Sequence, residues 1–156
     1  MGKKKTWREK LQDSKDLPKV VLLNEDAQKR WKGNTMAIPS PMEVNEIMAN
    51  IPEGKLITIE EIRKTIARKH GAEIGCPLTC GIFSWIAAHA AAEEAAEGNK
   101  FMIPFWRTLK TKGELNPKYP GGIELQKKYL ESEGHKVIRK GKKLLVENYE
   151  NYLIKS

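Results

Sequence analysis

The sequence predicts an α+β, mostly helical domain closed by a C-terminal β-hairpin, and three observations carry that class. Two capping signatures, "SPME" from Ser40 and "TIEE" from Thr58, each open a run of apolar residues at helical spacing. A third helical run, "CPLTCGIFSWIAAHAAAEEAAEG", follows the second across the glycine-containing turn "HGAEIG". Near the end, the β-prone runs "HKVIR" and "KLLVE" flank the basic turn "KGK". A helix-turn-helix followed by a basic hairpin is the outline of a winged helix. In a helix-turn-helix the N-terminal end of the second helix enters the major groove of DNA while the first crosses the backbone. Two amphipathic helices with a glycine turn also occur in proteins that never meet DNA, and lysines at a hairpin tip also serve as edge protection.

Taken in order, residues 1–39 read differently from the rest. "GKKKTWREKLQDSKDLPK" is charge-dense, "VVLL" makes one short strand, and "KGNTMAIPSP" is broken by glycine and two prolines. This predicts a basic N-terminal arm, packed loosely on a domain spanning 40–156. Its cations suit either a solvated tail or contacts to phosphates. In the domain, Ser40 caps a helix with Pro41 at its first position, and Val44, Ile47, Met48 and Ile51 mark its apolar face. "PEGKLI" is a turn and a brief extended segment. Thr58 caps the next helix, which carries Ile59, Ile62 and Ile66 to a stop at Gly71. Pro77 suits the first position of the third helix, which ends at Gly98. "GGIELQKKYLESEG" forms the last helix before the hairpin.

The totals set limits. At 156 residues the chain holds one domain with its own core. Its 28 Lys and Arg against 20 Asp and Glu leave +8, which favours a polyanionic partner. Nucleic acid stands ahead of an anionic membrane, because no basic amphipathic helix with bulky apolar anchors is evident. Plain solubility accounts for the same charge. No apolar run reaches the roughly 20 residues that span a bilayer, and the lysine-rich start leads into no apolar signal segment, so a cytoplasmic, monomeric protein is expected. Cys76 and Cys80 lie four apart, where a disulfide would be strained, so both are read as reduced thiols. With His70 and His89 they could compose a zinc site. The spacing is not C-x-x-C, His70 closes a helix and His89 sits amid alanines on another face, so no metal or cofactor is expected.

The segments "IPEGK" with "TIEEI", then "IPFWR", "GEL", "YPGG" and "QKKYLESEG" occur in this order from Ile51 to Val137. In this they resemble the C-terminal, DNA-binding domain of the alkylguanine-DNA alkyltransferase family. The resemblance implies a chemistry in which a thiolate attacks the alkyl carbon of a flipped-out base, a histidine deprotonates the thiol through water, and a glutamate orients the histidine. Carried across, the cysteine site is Phe105, the histidine site is Trp106, the arginine that follows is Arg107 and the glutamate is Glu133. Two of the three reactive groups are replaced, so no catalytic residue is assigned. The family's tyrosine that helps rotate a phosphate is replaced by Ile59, and the arginine that fills the gap left by the flipped base falls near Gly81. This pattern is similar to the alkyltransferase-like branch, whose members lack the acceptor cysteine, bind alkylated DNA and flag it for repair factors. The implied partners are double-stranded DNA, plain or alkylated, and a repair protein.

The base-pocket set is therefore Phe105, Trp106, Arg107 and Glu133. The two aromatics either stack on an everted base or plug a vestigial pocket, and the added volume of Phe over Cys favours the plug. Glu133, without a histidine, is free to cap an amide or to pair with Arg107. The expected phosphate contacts are Arg107, Lys110, Lys112, Lys142 and Lys143, with Thr79, Gly81 and Ser84 on the recognition helix facing the groove. Two further readings belong to other classes: a module that docks a protein through the "FWR" surface, and an active transferase with its acceptor relocated to Cys76 or Cys80.

Overall fold

The computed structural model describes residues 6–98 and 102–154, and its helices begin where the capping chemistry places them. In α3 (Pro41–Ala49) the Ser40 hydroxyl accepts from the Glu43 amide at 3.4 Å, and the Glu43 carboxylate accepts from the Ser40 amide at 2.9 Å. Two N–H groups with no intrahelical partner are thereby satisfied. Helix α4 (Ile59–His70) starts on Thr58, whose hydroxyl accepts from the Glu61 amide, and stops at Gly71 in the left-handed region. Helix α5 (Pro77–Ala96) follows the short strand β4 (Ile74–Gly75), and α6 (Gly122–Ser132) precedes the hairpin of β6 (Val137–Lys140) and β7 (Lys143–Val146).

The main core lies between α3, α4 and α5. Val44 and Met48 of α3 and Ile62 and Ile66 of α4 are fully buried. Each such side chain contributes about 1.5–3 kcal/mol by leaving water. The buried face of α5 is lined largely by small residues, Ala87, Ala88, Ala90 and Ala91, which let its neighbours come close. A second cluster of Leu56, Leu109, Leu115, Leu130 and Val146 joins the hairpin and α6 to the parallel pair β3 (Ile57–Thr58) and β5 (Thr108–Leu109).

The N-terminal segment is packed more closely than its composition suggested. Helix α1 (Trp7–Gln12) buries Leu11 in the main core. The Trp7 ring stacks on His89 at 4.4 Å, and the Trp7 and Arg8 amides donate to Glu93 of α5 at 3.1 and 2.9 Å. Strand β1 (Lys19–Leu22), the one expected in "VVLL", pairs antiparallel with an unforeseen β2 (Thr35–Ile38), and α2 (Glu25–Trp31) lies between them. Strand β2 in turn pairs parallel with β4, Met36 opposite Ile74 and Ala37 opposite Gly75. The reason the sequence hid this is physical: the partners of α1 and β2 lie on α5 and β4, distant in the chain, while charges are scattered through the segment and break up any local apolar pattern. The lysines of the opening run, Lys3 to Lys5, lie outside the described residues. Among the described residues no helix is long and apolar enough to cross a membrane.

Candidate nucleic-acid interface

The "PFWR" segment forms a short 3-10 turn, Phe105–Arg107, set against α6. Phe105 is 1% exposed, and its ring meets Trp106, Tyr119 and Tyr129 edge-on at 5.4, 5.7 and 6.2 Å. Trp106, partly exposed, stacks on Tyr129 with centroids 4.3 Å apart. Phe105 thus plugs the interior, where edge-to-face rings add about 0.5–1.5 kcal/mol per pair beyond burial. Gln126 of α6, fully buried, fastens the segment: its amide donates to the Trp106 carbonyl at 3.1 Å and its oxygen accepts from the Asn116 amide at 2.7 Å.

Glu133 gathers three donors. Arg107 reaches it through Nε at 2.9 Å and through a terminal nitrogen at 2.6 Å, Trp106 Nε1 donates at 2.9 Å and the Gly54 amide at 3.3 Å. Burial alone would push the Glu133 carboxyl up. The bonds from Arg107, Trp106 and Gly54 outweigh it and hold the pKa below the usual glutamate range. Both arrangements expected for Glu133, an amide contact and a pair with Arg107, therefore occur together. The remaining end of Arg107 donates to the Ile51 carbonyl at 2.6 Å. With its guanidinium so committed, Arg107 is not a free phosphate contact as the sequence suggested.

On α5 the expected groove residues separate. Ser84 is fully buried and donates to the Gly81 carbonyl at 2.6 Å, and the Thr79 hydroxyl is shielded from solvent. Ser84 is thus withheld from a groove and partly exposed Thr79 turns no hydroxyl to one, because α5 is apolar or small almost all round and its letters do not reveal which face turns inward. Gly81 is the one of the three that stays open: a Cβ there would meet nothing within 4 Å. It lines a hollow of about 210 Å³ with Ile59 and Lys110. The positions aligned with the family's tyrosine and arginine thus come together around one opening. Leu78, on the first turn of α5, is 70% exposed and went unnoticed in the sequence, although an apolar residue beside Pro77 was the available signal.

The expected lysines cluster on the hairpin side. Lys112 and Lys143 line a groove of about 830 Å³ together with Lys140 of the basic turn, and Glu114, Glu147 and Glu150 line it as well. Lys142 is exposed at the hairpin tip. Glu114 tempers this face, lying 4.0 Å from Lys110 and 3.8 Å from Lys143. Exposed pairs of this kind are worth about 0–1 kcal/mol, so a phosphate can displace them.

The four residues considered for zinc go separate ways. His70 Nε2 lies 2.7 Å from Glu43, His89 Nε2 lies 2.7 Å from the Lys118 carbonyl, and the two cysteines are buried. Among the described residues no group of three or more His, Cys, Asp or Glu converges as metal ligands do. Burial, with a smaller push from Cys76, raises the Cys80 thiol to about 12, far from a reactive thiolate.

No family model and no curated protein matches the chain. Two solved structures do share its fold. One is S. pombe Atl1 in complex with damaged DNA containing O6-carboxymethylguanine, with a TM-score of 0.52 and 21% identity over 74% of this chain and 94% of that one. The other is S. pombe ATL in complex with DNA, with a TM-score of 0.55 and 20% identity over the same shares of the two chains. The fold expected from the sequence, a mixed α+β domain with a C-terminal hairpin, is the fold found.

Proposed function

We propose that the chain is a non-catalytic DNA-binding protein of the alkyltransferase-like type, which holds alkylated duplex DNA without accepting the alkyl group. The observation that carries this reading is a conjunction. The fold is shared with two structures of S. pombe proteins in complex with DNA, and a sealed Phe105 stands where the resemblance places the acceptor thiol. Both cysteines are buried at the start of α5, and a thiol is a far poorer nucleophile than a thiolate.

In this reading the first turns of α5 enter the major groove, where Leu78 offers an apolar contact of the kind that thymine methyls make. Lys112, Lys140, Lys142 and Lys143 neutralise phosphates from the hairpin side. Because Phe105 fills the interior, stacking on an alkylated guanine falls to the partly exposed Trp106, a contact worth about 1–3 kcal/mol.

The test is a salt series on matched duplexes, one plain and one carrying an O6-alkylguanine, with the protein weighed afterwards. The alkylated duplex is expected to bind more tightly at every salt, with a slope of log K on log salt near −0.9 per neutralised phosphate and no gain in protein mass. Equal binding of the two duplexes would remove the lesion from the proposal. Absence of binding would remove DNA and leave protein docking as the reading, and a stable mass increase on a cysteine would restore alkyl transfer.

A further inference from the structure

We infer that the β1–α2–β2 excursion is a second DNA-contacting arm, gripping backbone phosphates that flank the site read by α5. This rests on the DNA reading above and adds a surface to it.

Helix α2 buries none of its residues, so core packing does not account for it. It is nevertheless well built. The Asn24 side chain caps the Ala27 amide at 2.9 Å, Gln28 donates to the Leu23 carbonyl at 2.8 Å, and the Leu23 amide donates to the Asn34 carbonyl at 2.8 Å. The excursion is also fixed to the root of the recognition helix. Beyond the β2–β4 pairing, the Cys76 amide donates to the Ala37 carbonyl at 2.9 Å, and Glu73 and the segment Asn34–Thr35 exchange bonds at 3.2 and 3.0 Å. Cys76 immediately precedes α5, so backbone hydrogen bonds set where α2 stands relative to that helix.

The end of α2 that faces away from its acidic first turn is cationic. Lys29, Arg30 and Lys32 are exposed, and among the described residues none of them is held in an ion pair. Beside them the Arg63 guanidinium lies 5.9 Å from the half-exposed Trp31 ring, and Lys64 sits on the same hollow of about 270 Å³. Glu60 and Glu73 also line that hollow. An anion is therefore placed on the cationic rim and not inside. An isolated cationic turn fits any polyanion. Continuity with the start of α5 through β2 and β4 selects the backbone of the same duplex.

The experiment uses the full chain carrying Lys29→Gln, Arg30→Gln and Lys32→Asn. Asparagine is chosen at 32 because that residue sits at φ 58°, a conformation it tolerates. Binding is measured across salt on a plain duplex of about 30 bp, roughly three helical turns. The steepness of log K against log salt is expected to fall by up to about 2.7, or about 0.9 for Arg30→Gln alone, with an unchanged melting temperature. A slope equal to that of the unaltered protein overturns the inference. Lys112→Gln with Lys143→Gln serves as the comparison. If that pair lowers the slope while the α2 variants do not, the DNA reading stands and this arm falls; if the unaltered protein binds neither this duplex nor one of the same length carrying an O6-alkylguanine, both fall.

Discussion

Glu133 is the residue on which the site's geometry converges, with donors from the neighbours Trp106 and Arg107 and from Gly54, two distant parts of the chain. The pair with Arg107 is well shielded, the side chains being 13% and 6% exposed. Removing one partner leaves the other charge buried and unpaired, so Glu133→Ala is expected to cost about 3–5 kcal/mol in urea unfolding. A loss below about 1 kcal/mol would mean that water replaces the carboxylate and that the pair is a surface one. The pair was legible in the sequence because "PFWR" and "YLESEG" stand as motifs whose members have few other uses. Tyr119, Tyr129 and Gln126 were not, since their roles exist only once α6 is docked on the turn at Phe105. Ser84 and Thr79 misled for the opposite reason: a small polar letter in a helix suits a groove and a tight interior equally well.

At the scale of elements, α5 is the one on whose orientation the proposed function turns. Gly81 interrupts an otherwise strong helix former, adopts helical backbone and faces open space. Replacing glycine inside a helix by arginine gains somewhat less than the roughly 0.8–1 kcal/mol that separates glycine from alanine. Gly81→Arg is therefore expected to raise the melting temperature. If Gly81 faces the duplex, the same variant also tightens binding to alkylated DNA, since it returns a cation to the position that lines the hollow with Ile59 and Lys110. Higher stability with unchanged affinity would turn that face of α5 away from DNA. Helices α3 and α4 were readable because caps and apolar spacing agree at each, and α6, which has no side-chain cap, because glycines bound its run at both ends. Helix α1 has an equally complete capping box, Thr6 with Glu9, but its apolar partners Trp85 and His89 are contributed by α5, so no local periodicity announced it.

For the molecule as a whole, acid stability follows from which groups folding keeps from protons. His135 is buried with neither ring nitrogen bonded, and burial holds its pKa below the ordinary value of 6.5. The unfolded chain takes up that proton before the folded one does, so stability is full above about pH 6.5 and declines as pH falls below it. Glu43 and Glu133 are held below the ordinary 4.5, so their contribution persists above that value and is lost below it. Urea midpoints from about pH 8 to about pH 4 should fall in two stages, and His135→Phe should abolish the upper one. A single stage near 4.5 in the unaltered protein would place a water or a donor on the His135 ring. Position 75 admits only glycine. A Cβ there would collide with the Arg63 backbone, while the Arg63 side chain donates to the Gly75 carbonyl at 2.9 Å and β2 pairs along the strand. Helix α5 is therefore held without a swivel at its base. In the proposed function such a rigid element leaves adaptation to the nucleic acid, and sequences that bend and twist at low cost would then be favoured even at base pairs the protein does not touch.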